Sequence, residues 1–348
     1  MNKLVIIGNG FDLAHGLKTS YKDFLVWSVN QSISNKDNPN YEGLINFSTD
    51  ELPAYQKISI ESIEQFHDFI IHWEIKPNYK YFFIERIFKA SYENWVDIEN
   101  EYFRELVNIY SDRNVATYDK KKRLRELNLS LEILKKELDK YLKLESKNTY
   151  INEDIAEHFK EIFTIPDSDI SYIMVLNFNY TDNVEKYIYK FINQYISINY
   201  IHGKLYEEKN PIIFGYGDET DEHYEKIEKL NDNEYLKYMK SFAYLQTPNY
   251  KRLFDFLDKK DEKFDVYIMG HSLGLSDRLL FTHIFEHENF NSVKIYYYQK
   301  SELENDFYEK TQNISRYIRR DSRHRMRTKL VSFIESTPLV KYKFKPQN

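Results

Sequence analysis

The chain begins with a short apolar strand that runs directly into a glycine-containing turn. Lys3–Ile7 is followed by the sequence Gly8-Asn9-Gly10-Phe11-Asp12. Two glycines one residue apart allow backbone N–H groups to face an anion without an intervening Cβ. In an open α/β sheet, nucleotides bind at the edge where such a strand ends. The opening therefore predicts that these five turn residues contact a nucleotide, with its pyrophosphate at the start of the helix that follows.

The same turn departs from the dehydrogenase fingerprint at one position. In G-x-G-x-x-G the third glycine would stand at position 13, where this chain has Leu13. The departure argues against a hydride-transferring dehydrogenase. Asp12 is expected either to accept a hydrogen bond from a ribose hydroxyl or to cap the next helix.

The composition narrows the class of protein further. The 348 residues suffice for one large domain or two, and 31 tyrosines and 24 phenylalanines predict an aromatic core. Because the chain has no cysteine, disulfides, thiolate zinc sites and a cysteine nucleophile are excluded, and no metal is predicted.

The formal net charge of −6 argues against nucleic-acid binding by the whole surface. With no room for a signal peptide and no apolar run near ~20 residues, we expect a cytoplasmic protein that does not enter the membrane.

Short apolar segments alternate with helical patterns along most of the chain. The predicted strands are Lys3–Ile7, Tyr172–Leu176, Ile196–Ile201, Pro211–Phe214, Phe264–Met269 and Ser292–Tyr298. This alternation predicts an α/β fold over residues 1–348 as a single domain. The expected architecture is a Rossmann-like, mainly parallel sheet flanked by helices, with a large helical insertion after the first strand.

Three segments interrupt or extend that pattern. The helical insertion covers about residues 50–165, and within it the leucine spacing over 120–144 predicts a helix packed in a bundle, with a dimerisation coil, and hence a homo-oligomer, as the alternative. A lid-like insertion at about 218–263 is rich in Asp, Glu and Lys, which predicts a mobile lid or a surface excursion. The basic segment at about 316–329 predicts a solvated helix face, with contact to phosphate or nucleic acid as the alternative.

One acidic residue falls on the apolar side of an amphipathic helix predicted over Trp95–Val107. Stepping about 100° per residue places Glu99 near the middle of the apolar arc. An unpaired carboxylate there would be costly or would take up a proton. Glu99 is therefore expected either to form a structural salt bridge or backbone hydrogen bond, or to reach the nucleotide and stabilise a cationic sugar.

Polar residues follow two of the predicted strands. Asn177 and Asn179 come after the strand at 172–176, and His202 with Gly203 comes after the strand at 196–201. Loops beyond the carboxyl ends of strands concentrate ligand contacts. Histidine at such a position is suited to general-base chemistry, although a structural role is common for both residue types.

A third motif follows the strand at 264–269. Gly270-His271-Ser272-Leu273-Gly274 matches G-x-S-x-G, the nucleophile elbow of α/β-hydrolases, in which Ser272 would attack an ester or amide. That interpretation requires an acid and a histidine on later strand ends, and only one further strand is predicted. It also leaves the opening glycine turn unexplained.

Together these motifs resemble the AbiH-type abortive-infection family of bacterial anti-phage proteins, from residue 4 to about residue 285. The residues that carry the resemblance are Ile7–Leu17 with Thr19 and Tyr21, Trp95 with Glu99, Phe178–Thr181, Ile201–Gly203 and Gly270–Leu273. The family implies a bacterial protein that acts during phage infection, with a phage component as the expected trigger.

The motif order also resembles, more distantly, the sirtuin-like NAD-consuming domains. On that resemblance Asn179 orients water or the ribose, His202 is the base, and Gly270 and Ser272 hold the adenosine side of the nucleotide. Thr181 stands where the sirtuin-like defence domains tend to have aspartate, and the absent cysteines disfavour deacetylase chemistry. The resemblance implies that NAD is hydrolysed as a substrate rather than used as a redox cofactor.

Three functions remain open on the sequence. The first is an NAD hydrolase with Asn179, His202 and Glu99 as catalytic residues. The second is another hydrolase that uses the Ser272 elbow, or a nuclease aided by the basic segment. The third is a nucleotide sensor without turnover.

Overall fold

The structure is a computed structural model that describes residues 1–38, 40–48, 52, 58–93, 97–147, 150–164, 171–189, 191, 195–259 and 262–342. The chain divides into two compact units. The sheet unit consists of Met1–Leu17, Ser146–Ile213 and Lys240–Asn348, and the helical unit consists of Lys18–Glu145 and Phe214–Met239. A single domain over residues 1–348, with insertions at about 50–165 and 218–263, stays a prediction.

The regular elements within these residues are as follows. The strands are β1 Asn2–Ile7, β2 Ile45–Asn46, β3 Asn78–Tyr79, β4 Ile173–Asn177, β5 Ile196–Tyr200, β6 Phe264–Met269 and β7 Phe290–Tyr296. The helices are α1 Asn9–Ala14, α2 Tyr21–Ser34, α3 Ile63–His72, α4 Phe82–Glu93, α5 Ile98–Ser111, α6 Thr117–Glu145, α7 Glu153–Phe163, α8 Glu185–Ile188, α9 Glu222–Glu228, α10 Lys240–Ala243, α11 Asn249–Leu257, α12 Arg278–Glu286, α13 Phe307–Tyr317 and α14 Arg323–Lys329. Short 3-10 turns lie at Tyr244–Gln246, Leu275–Asp277 and Phe333–Glu335.

The sheet unit is built on five parallel strands in the order β5-β4-β1-β6-β7. The chain moves outward from β1 through β4 to β5, then returns to the other side of β1 for β6 and β7. With β2 and β3 set aside, this order corresponds to 3-2-1-4-5 of the doubly wound nucleotide-binding fold, and the direction reverses at β1. The predicted α/β class and parallel sheet are confirmed.

Both faces of this sheet are covered, which explains why its strands are almost continuously apolar. Along β1, Leu4 and Ile6 belong to one buried cluster and Val5 and Ile7 to the other. All four side chains have no exposed surface. Because successive side chains of a strand point to opposite faces, one short apolar run supplies both layers of the core.

The predicted strand at Pro211–Phe214 is wrong. This segment is irregular, with the Ile213 N–H donating to the carbonyl of His202 at 2.8 Å. The Ile213 carbonyl accepts from the Tyr180 hydroxyl at 3.0 Å. Pro211 has no backbone N–H and cannot donate a hydrogen bond to a neighbouring strand, which disfavours sheet pairing here. The apolar residues that follow it are buried without being part of a sheet.

The helical unit contains α2 to α6, α9 and the short β2–β3 pair. The long helix α6 packs against α2, α4 and α5, and its leucines at 124, 127, 131, 134 and 138 are buried. The predicted bundle helix is therefore confirmed. Helix α5 begins at Ile98 with Asp97 as its N-cap, and the predicted earlier start at Trp95 and Val96 lies outside the described residues.

Candidate functional site

The sequence motifs of the sheet unit gather at one edge of its sheet. Parallel strands end on the same side, so the loops after β1, β4, β5 and β6 are neighbours. Residues 8–12 follow β1, 178–183 follow β4, 202–204 follow β5 and 270–277 follow β6, and Asn177 is the last residue of β4. This edge, with the turn at the reversal of strand order, is the candidate site.

The glycine turn after β1 is packed tightly against the turn after β6. The Gly8 N–H donates to the Met269 carbonyl at 3.0 Å, and the Gly10 N–H donates to the Gly270 carbonyl at 2.7 Å. A Cβ at Gly8 would stand 2.5 Å from the Cα of His271. The glycines therefore bring two backbone turns together. Their N–H groups serve this pairing, whereas the sequence predicts that they face an anion; a nucleotide contact by residues 8–12 stays a prediction.

Asp12 is buried beneath this turn and holds the loop after β4. Its carboxylate accepts from the Thr181 hydroxyl at 2.6 Å and from the Asn183 side-chain amide at 3.1 Å. Burial raises the pKa of Asp12 to about 6, although these hydrogen bonds oppose the shift. The predicted helix cap is wrong, because Gly8 caps α1 and Ser20 caps α2; a ribose contact stays a prediction.

Asn179 joins the loop after β4 to the glycine turn. Its side-chain Nδ2 donates to the Gly8 carbonyl at 3.1 Å, and its backbone N–H donates to Oδ1 of Asn177 at 3.0 Å. Its side chain also hydrogen bonds to the Asp12 carboxylate. Asn179 is 7% exposed. The two turns that the sequence assigns to the nucleotide are thus in direct contact.

His202 lies at the end of β5 in a buried polar cluster. Its Nε2 is 3.0 Å from Oδ1 of Asp277 and 3.1 Å from the Tyr244 hydroxyl. The same Oδ1 accepts from the Lys240 ammonium at 2.8 Å. Burial and then the Lys240 charge lower the pKa of His202, while Asp277 and the Phe178 backbone oppose the shift. The imidazole is consequently neutral near pH 7, the form that can accept a proton.

His271 and Asp277 complete this cluster from the loop after β6. Nδ1 of His271 accepts from the Leu273 N–H at 2.9 Å, and its Nε2 is 3.8 Å from Oδ2 of Asp277. Burial lowers the pKa of His271 to about 3. Burial alone would raise the pKa of Asp277, but Lys240 and His202 outweigh it and hold that pKa well below its usual range. Asp277 is therefore a buried carboxylate that stays ionised.

The geometry around Ser272 differs from a nucleophile elbow. Ser272 is exposed, and its carbonyl accepts from the Asn313 side chain at 3.0 Å. The left-handed residues of the turn are Gly270 and Leu273, whereas an elbow places its strain at the serine itself. The preceding His271 is engaged with Leu273 and faces Asp277. The assigned contacts of Gly270 and Ser272 with adenosine stay predictions.

Glu99 belongs to the helical unit. It is 6% exposed, which confirms the predicted burial, and its Oε1 accepts from the Gly215 N–H at 2.9 Å. Gly215 is also where the chain passes close to another segment, since a Cβ there would collide with the Tyr238 carbonyl. The backbone hydrogen bond is one of the two predicted roles. A ligand contact by Glu99 stays a prediction.

Sequence reasoning missed Lys240, Tyr244 and Asp277. A signal for Asp277 was present, because it lies in the same loop as Gly270 and Ser272, beyond the carboxyl end of a strand, where ligand contacts concentrate. Lys240 and Tyr244 lie within the predicted lid-like insertion of about 218–263. Lysine is almost never fully buried unless it is paired, and nothing in the local sequence signals its distant partner.

The described residues offer neither a metal cluster nor a membrane span. Within the part of the chain that the structure describes, no group of three or more His, Asp or Glu side chains is arranged to hold a metal ion. Among the described helices, none combines the length and the apolar character that crossing a bilayer requires.

Comparison with known proteins supplies the family. The family described as bacteriophage abortive infection AbiH matches residues 4–299, which is most of the chain. A search of curated proteins found no match. The family match spans β1 to β7 and includes every element of the candidate site. The chain therefore belongs to the AbiH family of bacteriophage abortive-infection proteins.

Proposed function

We propose that this AbiH protein hydrolyses NAD to nicotinamide and ADP-ribose at the carboxyl edge of its five-stranded sheet. The observation that carries the proposal is the contact between Asn179 Nδ2 and the Gly8 carbonyl, 3.1 Å apart. Through this hydrogen bond, the buried side-chain amide of Asn179 contacts the glycine turn after β1, the strand at which the strand order reverses. The neutral imidazole of His202 follows the adjacent strand, β5. The distant resemblance to sirtuin-like domains supports the same assignment.

The reaction breaks the bond between the nicotinamide nitrogen and the ribose carbon. Nicotinamide leaves with the bonding electron pair, water adds to the cationic sugar, and one proton is released. Such a step passes through an oxocarbenium-like state and needs a positioned water. Asn179 is assigned to the water and a ribose hydroxyl, and His202 to the released proton. No step is assigned to Glu99.

Incubation of the purified protein with NAD, followed by chromatography, tests the proposal. Asn179→Ala is expected to lower turnover by about 100-fold, the scale on which misplaced reactants lose rate. Asn199→Ala is the matched control, because Asn199 is also buried and donates to a backbone carbonyl at 2.8 Å. Equal turnover in both variants would contradict the role of Asn179. Lysate from phage-infected cells is added in parallel as a source of the proposed trigger.

Nucleotide binding without turnover is the second candidate. It is favoured by the enclosure of His202, which is 6% exposed and already engaged by Tyr244 and Asp277. Calorimetric binding of NAD with no nicotinamide formed, in the presence and absence of infected-cell lysate, would favour this sensor over the hydrolase.

A further inference from the structure

The buried ion pair between Lys240 and Asp277 contacts His202 through the Asp277 carboxylate. Lys240 is 1% exposed and Asp277 is 7% exposed, and the Nζ–Oδ1 distance is 2.8 Å. Oδ1 of Asp277 is at the same time 3.0 Å from Nε2 of His202. One carboxylate oxygen therefore serves both a fixed positive charge and the imidazole assigned as the base.

We propose that Asp277 is a positioning residue that fixes the ring of His202 through Nε2, and that Lys240 keeps this ring uncharged; the inference rests on, and deepens, the proposed NAD hydrolysis. A carboxylate only accepts hydrogen bonds, so Nε2 must carry the hydrogen where it meets Asp277. The arrangement follows the logic by which a buried aspartate sets the tautomer of a catalytic histidine.

The ion pair also decides the charge of the cluster. The groups that face His202 are Asp277 and His271 from the loop after β6, Lys240 from α10, Tyr244 from the following 3-10 turn, and the backbone of Phe178 and the aromatic ring of Tyr180 from the loop after β4. Lys240 compensates Asp277, so the carboxylate does not draw a second proton onto the imidazole. Without the ammonium, the same carboxylate would stabilise imidazolium instead.

The first test is an NMR titration of ¹⁵N-labelled histidine in the full chain, with the His202 signal assigned by its loss in His202→Gln. Lys240→Met is expected to raise the pKa of His202. Lys310→Met is the matched control, since Lys310 is also a buried lysine paired with an aspartate, Asp306, at 3.0 Å. Its charge acts on His271 of the same cluster, so this variant is expected to shift the titration of His202 much less than Lys240→Met does. An unchanged His202 titration in folded Lys240→Met would overturn the role of Lys240. This measurement stands whether or not NAD is turned over.

The second test removes the whole pair. Replacing buried ion pairs by apolar residues of similar size often preserves stability, so Lys240→Met combined with Asp277→Leu is expected to fold. Its His202 signals should show loss of the single Nε2–H tautomer, and kcat should fall by about 10²–10⁴-fold, the scale of general-base catalysis. In Lys240→Met alone, the acid limb of kcat/KM should move to higher pH. A folded double variant with the wild-type tautomer, and with wild-type kcat if NAD is hydrolysed, would show the pair to be structural only.

Discussion

At the scale of single residues, burial decides the chemistry of the polar side chains. Asp12 and Asp277 are both buried aspartates at the candidate site, yet their pKa values move in opposite directions. Asp12 has neutral hydrogen-bond partners, so desolvation prevails, whereas Asp277 has Lys240 at 2.8 Å. Two residues of one type thus acquire different protonation states from their neighbours.

Asp12 is expected to make stability depend on pH. Its pKa is about 6 in the folded chain, above the ordinary value of 3.8, so the folded state holds the proton more tightly. The contribution of Asp12 to the free energy of unfolding is fully present below about pH 4 and is lost as pH rises through about 6. At 1.36 kcal/mol per pKa unit, this contribution is about 3 kcal/mol. Denaturant unfolding between pH 4 and 7 measures it.

Asp12→Asn should abolish this pH-dependent part of the unfolding free energy, while Asp119→Asn, at an exposed position of α6, should retain it. The same slope between pH 4 and 6 in all three proteins would show that Asp12 is not its source.

At the scale of elements, the turns after β1 and β6 act as one structure. Backbone hydrogen bonds link Gly8 to Met269 and Gly10 to Gly270. Gly270 has a φ of +72°, and a Cβ there would collide with the backbone nitrogen of Phe11. The position thus demands glycine for two reasons, its left-handed backbone and the close approach of α1.

Gly270→Ala and Gly16→Ala separate these two reasons. Gly16 has a φ of +74° with open space around its Cβ position, so its substitution should cost only the left-handed strain, about 1–2 kcal/mol. Gly270→Ala should lose a further ~1–3 kcal/mol from overpacking. Both are measured as unfolding free energies in denaturant. Equal losses in the two variants would mean that the turns after β1 and β6 can separate without cost.

At the scale of the whole molecule, membership of the AbiH family makes this an anti-phage abortive-infection protein. The parallel sheet supplies an edge of the kind at which ligands bind in α/β folds. The proposed NAD hydrolysis would give that edge a role in infection.

Expression in a phage-sensitive bacterium tests the molecule in this setting. The wild-type chain should reduce plaque number and lower cellular NAD after infection, whereas Asn179→Ala should do neither at matched protein level. Asn199→Ala should behave as wild type. Protection by Asn179→Ala without a fall in NAD would separate phage defence from NAD hydrolysis.

Much of the fold could be predicted from local patterns. The run at Lys3–Ile7, the strand at Phe264–Met269 and the leucine spacing of 120–144 predicted β1, β6 and α6 correctly, because strand burial and helical periodicity are written in neighbouring residues. The strand predicted at Pro211–Phe214 was wrong, because the apolar residues of this segment are buried without pairing to a strand. Its backbone partners lie at His202 and Tyr180, and no local pattern identifies them.

Contiguous residues were enough to specify the fold class, the sheet edge and the family, because strands, turns and motifs are local properties of the chain. The pairing of the glycine turn with the turn after β6, and the cluster of Lys240, Asp277 and His202, emerged only from the folded arrangement. Lys240 and Asp277 are 37 positions apart, and no repeat or motif connects them, so their pairing had to be found in space. Charge and protonation at this edge depend on desolvation and on distances between segments far apart in the chain, which the order of residues does not specify.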